Sequence, residues 1–166
     1  MSIASRSIVA RGTVKPQIVS PTVTVSITPD YTAGDNLGGK LTLSGVSSRG
    51  GGPVLLDEVK LTDFDNQKPV LEITIFDADP AAATLTDNAT QVLTAPDAAK
   101  VVGKIAVASG DWATIGGVGI ATVRNIGMLC VPVTGNTLYA ALQATGTPNM
   151  ATTGAITLDL VFYPAN

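Results

Sequence analysis

Residues 31–43 read YTAGDNLGGKLTL. Gly34, Gly39 and Lys40 fall in the order G-x-x-x-x-G-K, most of a phosphate-binding loop. If a helix follows Lys40, the chain is an α/β nucleotide enzyme; if a strand follows, that reading collapses. A phosphate loop needs backbone N–H groups leading into a helix N-terminus, and Ser or Thr directly after the Lys to hold magnesium. Here Leu41 takes that place, and KLTLSGV alternates with a period of two and shows no helical face. The stretch is therefore a glycine-rich corner entering a strand, and Lys40 is a solvated or interface charge.

The same period recurs along the chain. In TVTVSIT, Val23, Val25 and Ile27 face one way, which predicts a half-buried strand. VLLDEVKLTDF and PVLEITIFDAD, joined by DFDNQKP, predict a hairpin in which Leu71, Ile73 and Ile75 share a face. Further strands are expected at VVGKIAVA, VGIATVRN, MLCVPV, TLYAALQA and AITLDLVFY, where Ile156, Leu158, Leu160 and Phe162 align. PDAAK, residues 96–100, predicts one helical turn opened by Pro and Asp and closed by Lys. Roughly nine or ten short strands with turn residues between them predict an all-β fold: a single antiparallel β-sandwich, jelly-roll-like. The expected organisation is an extended N-terminal arm over 1–18 and the sandwich over 19–166.

Composition limits the function. The 166 residues suit one domain, and 17 glycines with 10 prolines disfavour long helices. Only 14% of residues are charged, below the roughly 25% of an average domain, which points to assembly. No apolar run approaches the ~20 residues of a membrane-spanning helix, and MSIASRSIVARG lacks the apolar core of a secretory signal. No membrane partner is expected. The chain has no histidine, the commonest general base and metal ligand. Its single Cys130 sits in an apolar run and reads as a small buried hydrophobe. Arg6, Arg11 and Lys15 precede the first acid, Asp30, so the first 29 residues carry +3 and the remainder −6. Three charges on an arm before an acidic body are too few for nucleic acid. These three residues are the candidate partner contacts.

Other motifs read as structural. Asp63 and Asp65 in DFDNQ resemble the opening of a calcium loop. The required glycine is missing, Lys68 takes its place, and Thr74 stands where the closing Glu belongs, so a turn is expected. Asp77 and Asp79, and Asp87-Asn88, read as turn carboxylates rather than catalytic pairs. Asn88-Ala89-Thr90 is formally a glycosylation acceptor. The lone Trp112 reads as a core or interface residue, with sugar stacking as the alternative. No catalytic residue, cofactor or metal is expected.

Three blocks carry a resemblance: Y-x-A-G-D-x-L-G-G-K at 31–40, FDADPAAATLTDN at 76–88 and LYAALQATGTP at 138–148. Over roughly residues 29–163 the chain resembles small virion structural proteins of tailed bacteriophages. The resemblance implies a head decoration, or cement, protein made in the host bacterial cytoplasm and placed on the outer capsid surface. Its implied partners are the major capsid protein and further copies of itself, as a trimer. A tail or baseplate component is the alternative within that group, and a carbohydrate-binding sandwich using Trp112 and the loop carboxylates is the alternative outside it. The resemblance carries over no catalytic residue.

Overall fold

A computed structural model describes residues 15–47 and 51–165. Two antiparallel sheets pack face to face as a β-sandwich. The five-stranded sheet runs β1 (Gln17–Val19), β9 (Ile156–Pro164), β3 (Val54–Asp63), β7 (Val118–Cys130), β6 (Trp112–Ile115). The four-stranded sheet runs β2 (Asn36–Ser44), β8 (Thr137–Ala144), β4 (Leu71–Phe76), β5 (Val101–Val107). The pairs β1–β9, β2–β8, β3–β7 and β4–β5 nest inside one another. That nesting is a long hairpin rolled up on itself, the jelly-roll arrangement. Pairs β3–β9 and β4–β8 close the roll.

Alternation builds the core. Val54, Leu56, Val59 and Leu61 of β3 point inward, and so do Ile156, Leu158, Leu160 and Phe162 of β9, as their spacing predicts. Leu41 and Leu43 of β2 and Leu138, Ala140 and Leu142 of β8 meet them from the other sheet. At about 25 cal/mol per Å² of apolar surface removed from water, this layer is the main stabilising term.

Several expectations are corrected. The β3–β4 hairpin does not form: the two strands lie in different sheets, and residues 64–70 cross between them. The turn chemistry of DFDNQKP serves that crossing. Fully buried Asp63 accepts from the N–H groups of Asp65 (3.0 Å) and Lys68 (2.6 Å), while Asn66 and Lys68 take φ of 55° and 51°. TVTVSIT buries Val23 and Val25 but joins no ladder, and Ile27 is exposed. Its backbone bonds go elsewhere, Val25 N–H to the Thr153 carbonyl and Ser26 N–H to the Tyr31 hydroxyl. VGIATVRN and MLCVPV fuse into the single strand β7, where positive φ at Asn125 and Gly127 absorbs a bulge instead of ending the strand. The short β6 was not anticipated; it joins β7 through Gly116-Gly117, both at positive φ, the requirement of a two-residue hairpin turn. β2 begins at Asn36, ahead of the expected start, with Gly38 and Gly39 inside its bulge. Gln17 and Ile18 of the expected arm already belong to β1.

Candidate functional site

The carboxyl end of β4 delivers the chain into a strap, residues 77–100, that covers the outer face of the four-stranded sheet. Leu85, Ala83 and Leu93 pack on Phe76, Ala141 and Tyr139. This explains why β4 is buried on both faces, Thr74 and Phe76 included, where sequence alternation alone implies one. The strap ends in the expected helical turn, α1 (Ala95–Ala98). Thr94 caps it, and Asp97 turns back to bond the Thr94 hydroxyl (2.9 Å) and Lys100 Nζ (2.8 Å). The Lys100 bond, aided by Thr94, holds the Asp97 carboxyl below its ordinary range against the opposing effect of burial.

The strap is tied down by residues of the opening stretch. The Asp87 carboxylate accepts from the Tyr31 hydroxyl (2.7 Å), the Ser26 hydroxyl (2.5 Å) and the Gly38 N–H (2.6 Å). Burial, reinforced by the Asp87 carboxylate, drives the Tyr31 phenol far above its usual pKa, so it remains a donor. Asp35 accepts from the N–H and hydroxyl of Thr32 (2.7 Å each) and the Thr90 hydroxyl (3.2 Å), which lowers its pKa, the Thr32 N–H most of all. Asn36 N–H and Nδ2 both donate to the Ala89 carbonyl (3.0 Å each). Asn88 of the glycosylation triplet donates its side-chain amide to the Pro29 carbonyl (2.7 Å).

Gly38, Gly39 and Lys40 therefore meet the strap, not phosphate. Gly38 has φ +75°, and a Cβ there would stand 2.6 Å from Val23 Cγ1. Lys40 pairs with Asp79 at 2.7 Å, its ammonium 5.8 Å from the Tyr139 ring centroid. Two clefts flank this pair. One, about 220 Å³, is walled by Asp77, Ala78, Asp79, Thr134, Thr137 and Tyr139. The other, about 210 Å³, lies between Lys40 and the strap residues Pro80–Thr86.

The other sequence candidates fall into place separately. Asp65 accepts from the N–H groups of Ala151 (2.7 Å) and Thr152 (3.1 Å), pinning a distant loop rather than opening a calcium loop. Trp112 is half-buried against the core and donates its indole N–H to the Pro69 carbonyl (3.0 Å). Cys130 is fully buried, and burial pushes its thiol up to about 11. Arg6 and Arg11 lie outside the described residues; Lys15 is exposed immediately before β1.

Among the described residues no strap covers the outer face of the five-stranded sheet, where Glu58 pairs with Arg124 at 3.1 Å and Lys60 lies 4.0 Å from Asp159. Register places Tyr163, Leu55 and Leu129 side by side across β9, β3 and β7, with Leu129 56% exposed. Ile18 on β1 (67%), and Val131 (51%) and Val133 (67%) just beyond β7, add to the exposed apolar surface of this end. Sequence patterning missed this band because outward apolar positions look like any alternate strand residue. A scan against protein-family models and a search of curated proteins each find no match to the chain.

Proposed function

We propose that this chain is a structural protein of a tailed-bacteriophage virion, a decoration protein that binds across neighbouring coat subunits on the head and stabilises the shell as a homotrimer. It works by binding and performs no chemistry. The observation that supports this most directly is the apolar band of half-buried Leu55 and Tyr163 with exposed Leu129, which no other described residue covers, and the exposed Ile18, Val131 and Val133 at the same end. Large exposed apolar patches on a rigid block mark association surfaces. The carboxylates of Asp35, Asp63, Asp65, Asp87 and Asp97 hold loops in place, and that is consistent with a binding role. Each copy bound adds to shell stability by mass action. The basic N-terminal segment with Arg6, Arg11 and Lys15 starts from the same end of the sandwich and is a second contact.

Co-sedimentation with undecorated shells tests the reading. Leu129→Glu and Val133→Glu are each expected to weaken attachment by roughly 30-fold, the effect of about 2 kcal/mol at an interface centre, with the fold unchanged. Removing residues 1–14 should weaken it further while leaving β1 in place. Unchanged attachment of both point variants would overturn the reading. Density at the tail instead of the head in a virion reconstruction would move the assignment to a tail component.

A further inference from the structure

The strap, residues 77–100, carries four aspartates, and three of them are matched: Asp79 by Lys40, Asp87 by the Tyr31 and Ser26 hydroxyls, Asp97 by Lys100. The Asp77 carboxylate has no hydrogen-bond or ion-pair partner among the described residues. Its backbone is nonetheless fixed, the N–H on the Lys100 carbonyl and the carbonyl under the Val133 N–H, at 3.0 Å each. Asp77 lines the cleft of about 220 Å³ with Thr134, Thr137 and Tyr139, whose hydroxyls are likewise unbonded among the described residues. Exposed Val133 stands beside them. A carboxylate held in place, surrounding hydroxyl acceptors and an apolar neighbour suit an arginine. Its guanidinium supplies several donors in one plane, and its aliphatic stem covers apolar surface.

The described residues contain one arginine, Arg124. It stands outward on β7 with its side chain 69% exposed. Glu58 accepts from its Nε at 3.1 Å, and no hydrogen bond engages its terminal nitrogens among the described residues. β6 pairs with β7 only as far as Ala121, so Arg124 lies at an edge that no other described strand extends. Leu55 and Tyr163 lie one and two strands inward. Arg124 cannot serve its own cleft. The rest of β7, roughly 15–20 Å of strand, separates it from Cys130, and its side chain points away from the sheet that holds the cleft. We propose that Arg124 of one copy enters the Asp77 cleft of the next, its guanidinium on the Asp77 carboxylate and its stem over Val133. Donor and acceptor sit on different surfaces, so the contact is heterologous, and each copy gives one arginine and receives one. Such contacts close into a ring when the rotation allows it. This rests on the homotrimer of the reading above and supplies its self-contact.

Sedimentation velocity of the full chain, free of shells, tests this. The native protein should sediment as a trimer. Asp77→Asn should weaken self-association about 30-fold and Asp77→Arg more than about 100-fold, the effects of losing and then reversing a charge-assisted contact. Glu58→Lys with Arg124→Glu keeps an ion pair between β3 and β7 but reverses the charge offered to the neighbour, so it should also dissociate the trimer. Adding Asp77→Arg to those two restores opposite charges across the contact and should recover the trimer to within about tenfold of native. Because recovery needs a folded cleft and a folded β7, it keeps the test valid even if one single variant is disturbed. A trimer indifferent to Asp77→Arg, or a triple variant no better associated than Asp77→Arg alone, overturns the contact. A native chain that stays monomeric overturns it as well. Co-sedimentation of the native chain with shells reads the capsid proposal separately, so failure of the contact and failure of that proposal are told apart.

Discussion

Asp87→Ala should be among the most damaging single substitutions in the described body. It removes the one acceptor shared by the Tyr31 hydroxyl, the Ser26 hydroxyl and the Gly38 N–H. Tyr31 is 1% exposed, so its hydroxyl cannot turn to water, and the Gly38 N–H is held in a bulge against Val23. Ser26 is half-buried and can recover a water bond. A buried donor left without a partner costs about 1–3 kcal/mol, and two such donors plus the loosened strap give about 3–5 kcal/mol. For a domain of this size that lowers Tm by roughly 8–16 °C. Tyr31→Phe removes only one bond and should cost about 1–2 kcal/mol. The double variant should cost clearly less than the two singles added, because they share an interaction. Urea unfolding followed by circular dichroism measures all three, with the slope of free energy against denaturant serving as a check on two-state behaviour. A loss below about 1 kcal/mol for Asp87→Ala, or strict additivity with Tyr31→Phe, would show that the carboxylate does not hold the strap.

Gly38→Ala should cost about 2–3 kcal/mol, because it combines a left-handed φ with a 2.6 Å approach to Val23; Gly45→Ala, at φ +77° with nothing within 4 Å, should cost only about 1 kcal/mol, and equal losses in denaturant melts would refute the contact argument. Asp35 and Asp97 have folded pKa values below the unfolded one, so their contribution is fully present above about pH 4 and is lost as pH falls through the folded values. Thermal melts across pH 7 to 2 should therefore show stability falling below pH 4, with a shallower fall in Asp97→Asn; an identical acid slope in that variant counts against the assignment. Cys130 should resist an aromatic disulfide reagent at pH 8 in the folded protein and react fully in urea, as a buried thiol raised to about 11 must; rapid native labelling contradicts this.

Period-two alternation made β5, β8 and β9 legible, since each turns apolar residues toward one core. It could not say which strand lies beside which. Asp63, Asp65 and Asn66 announce a reversal of the chain, but the same residues serve a hairpin and a crossing between sheets, and the structure takes the crossing. Val23 and Val25 are buried as their spacing requires, yet spacing cannot distinguish a ladder strand from an extended segment packed across the end of one. Asn125 and Gly127 look like breaks in sequence because a bulge uses the same residues as a turn. The tie between Tyr31 and Asp87 spans 56 positions and leaves no local trace.

Two of the sequence blocks singled out above, residues 31–40 and 76–88, meet in the structure. Tyr31 and Gly38 meet Asp87, Asp35 meets Thr90, a Cβ on Gly39 would stand 3.1 Å from the Leu85 carbonyl, and Lys40 meets Asp79. The first string is shaped to receive the second, and their union covers the outer face of one sheet with the chain's own strap. Among the described residues the opposite sheet receives no such cover and keeps Leu129 exposed beside Leu55 and Tyr163. A fold that covers one outer face through a shared, half-buried carboxylate and leaves an apolar end on the other is asymmetric in what it offers a neighbour. Both outer faces carry ion pairs, Lys40–Asp79 on the strap side and Glu58–Arg124 and Lys60–Asp159 on the five-stranded sheet, and the latter differs in its apolar end at Leu55, Leu129 and Tyr163, which gains free energy by losing water. If attachment runs through that end, as proposed, Leu129 is where a charged substitution separates binding from folding, because its side chain is exposed and makes no part of the core.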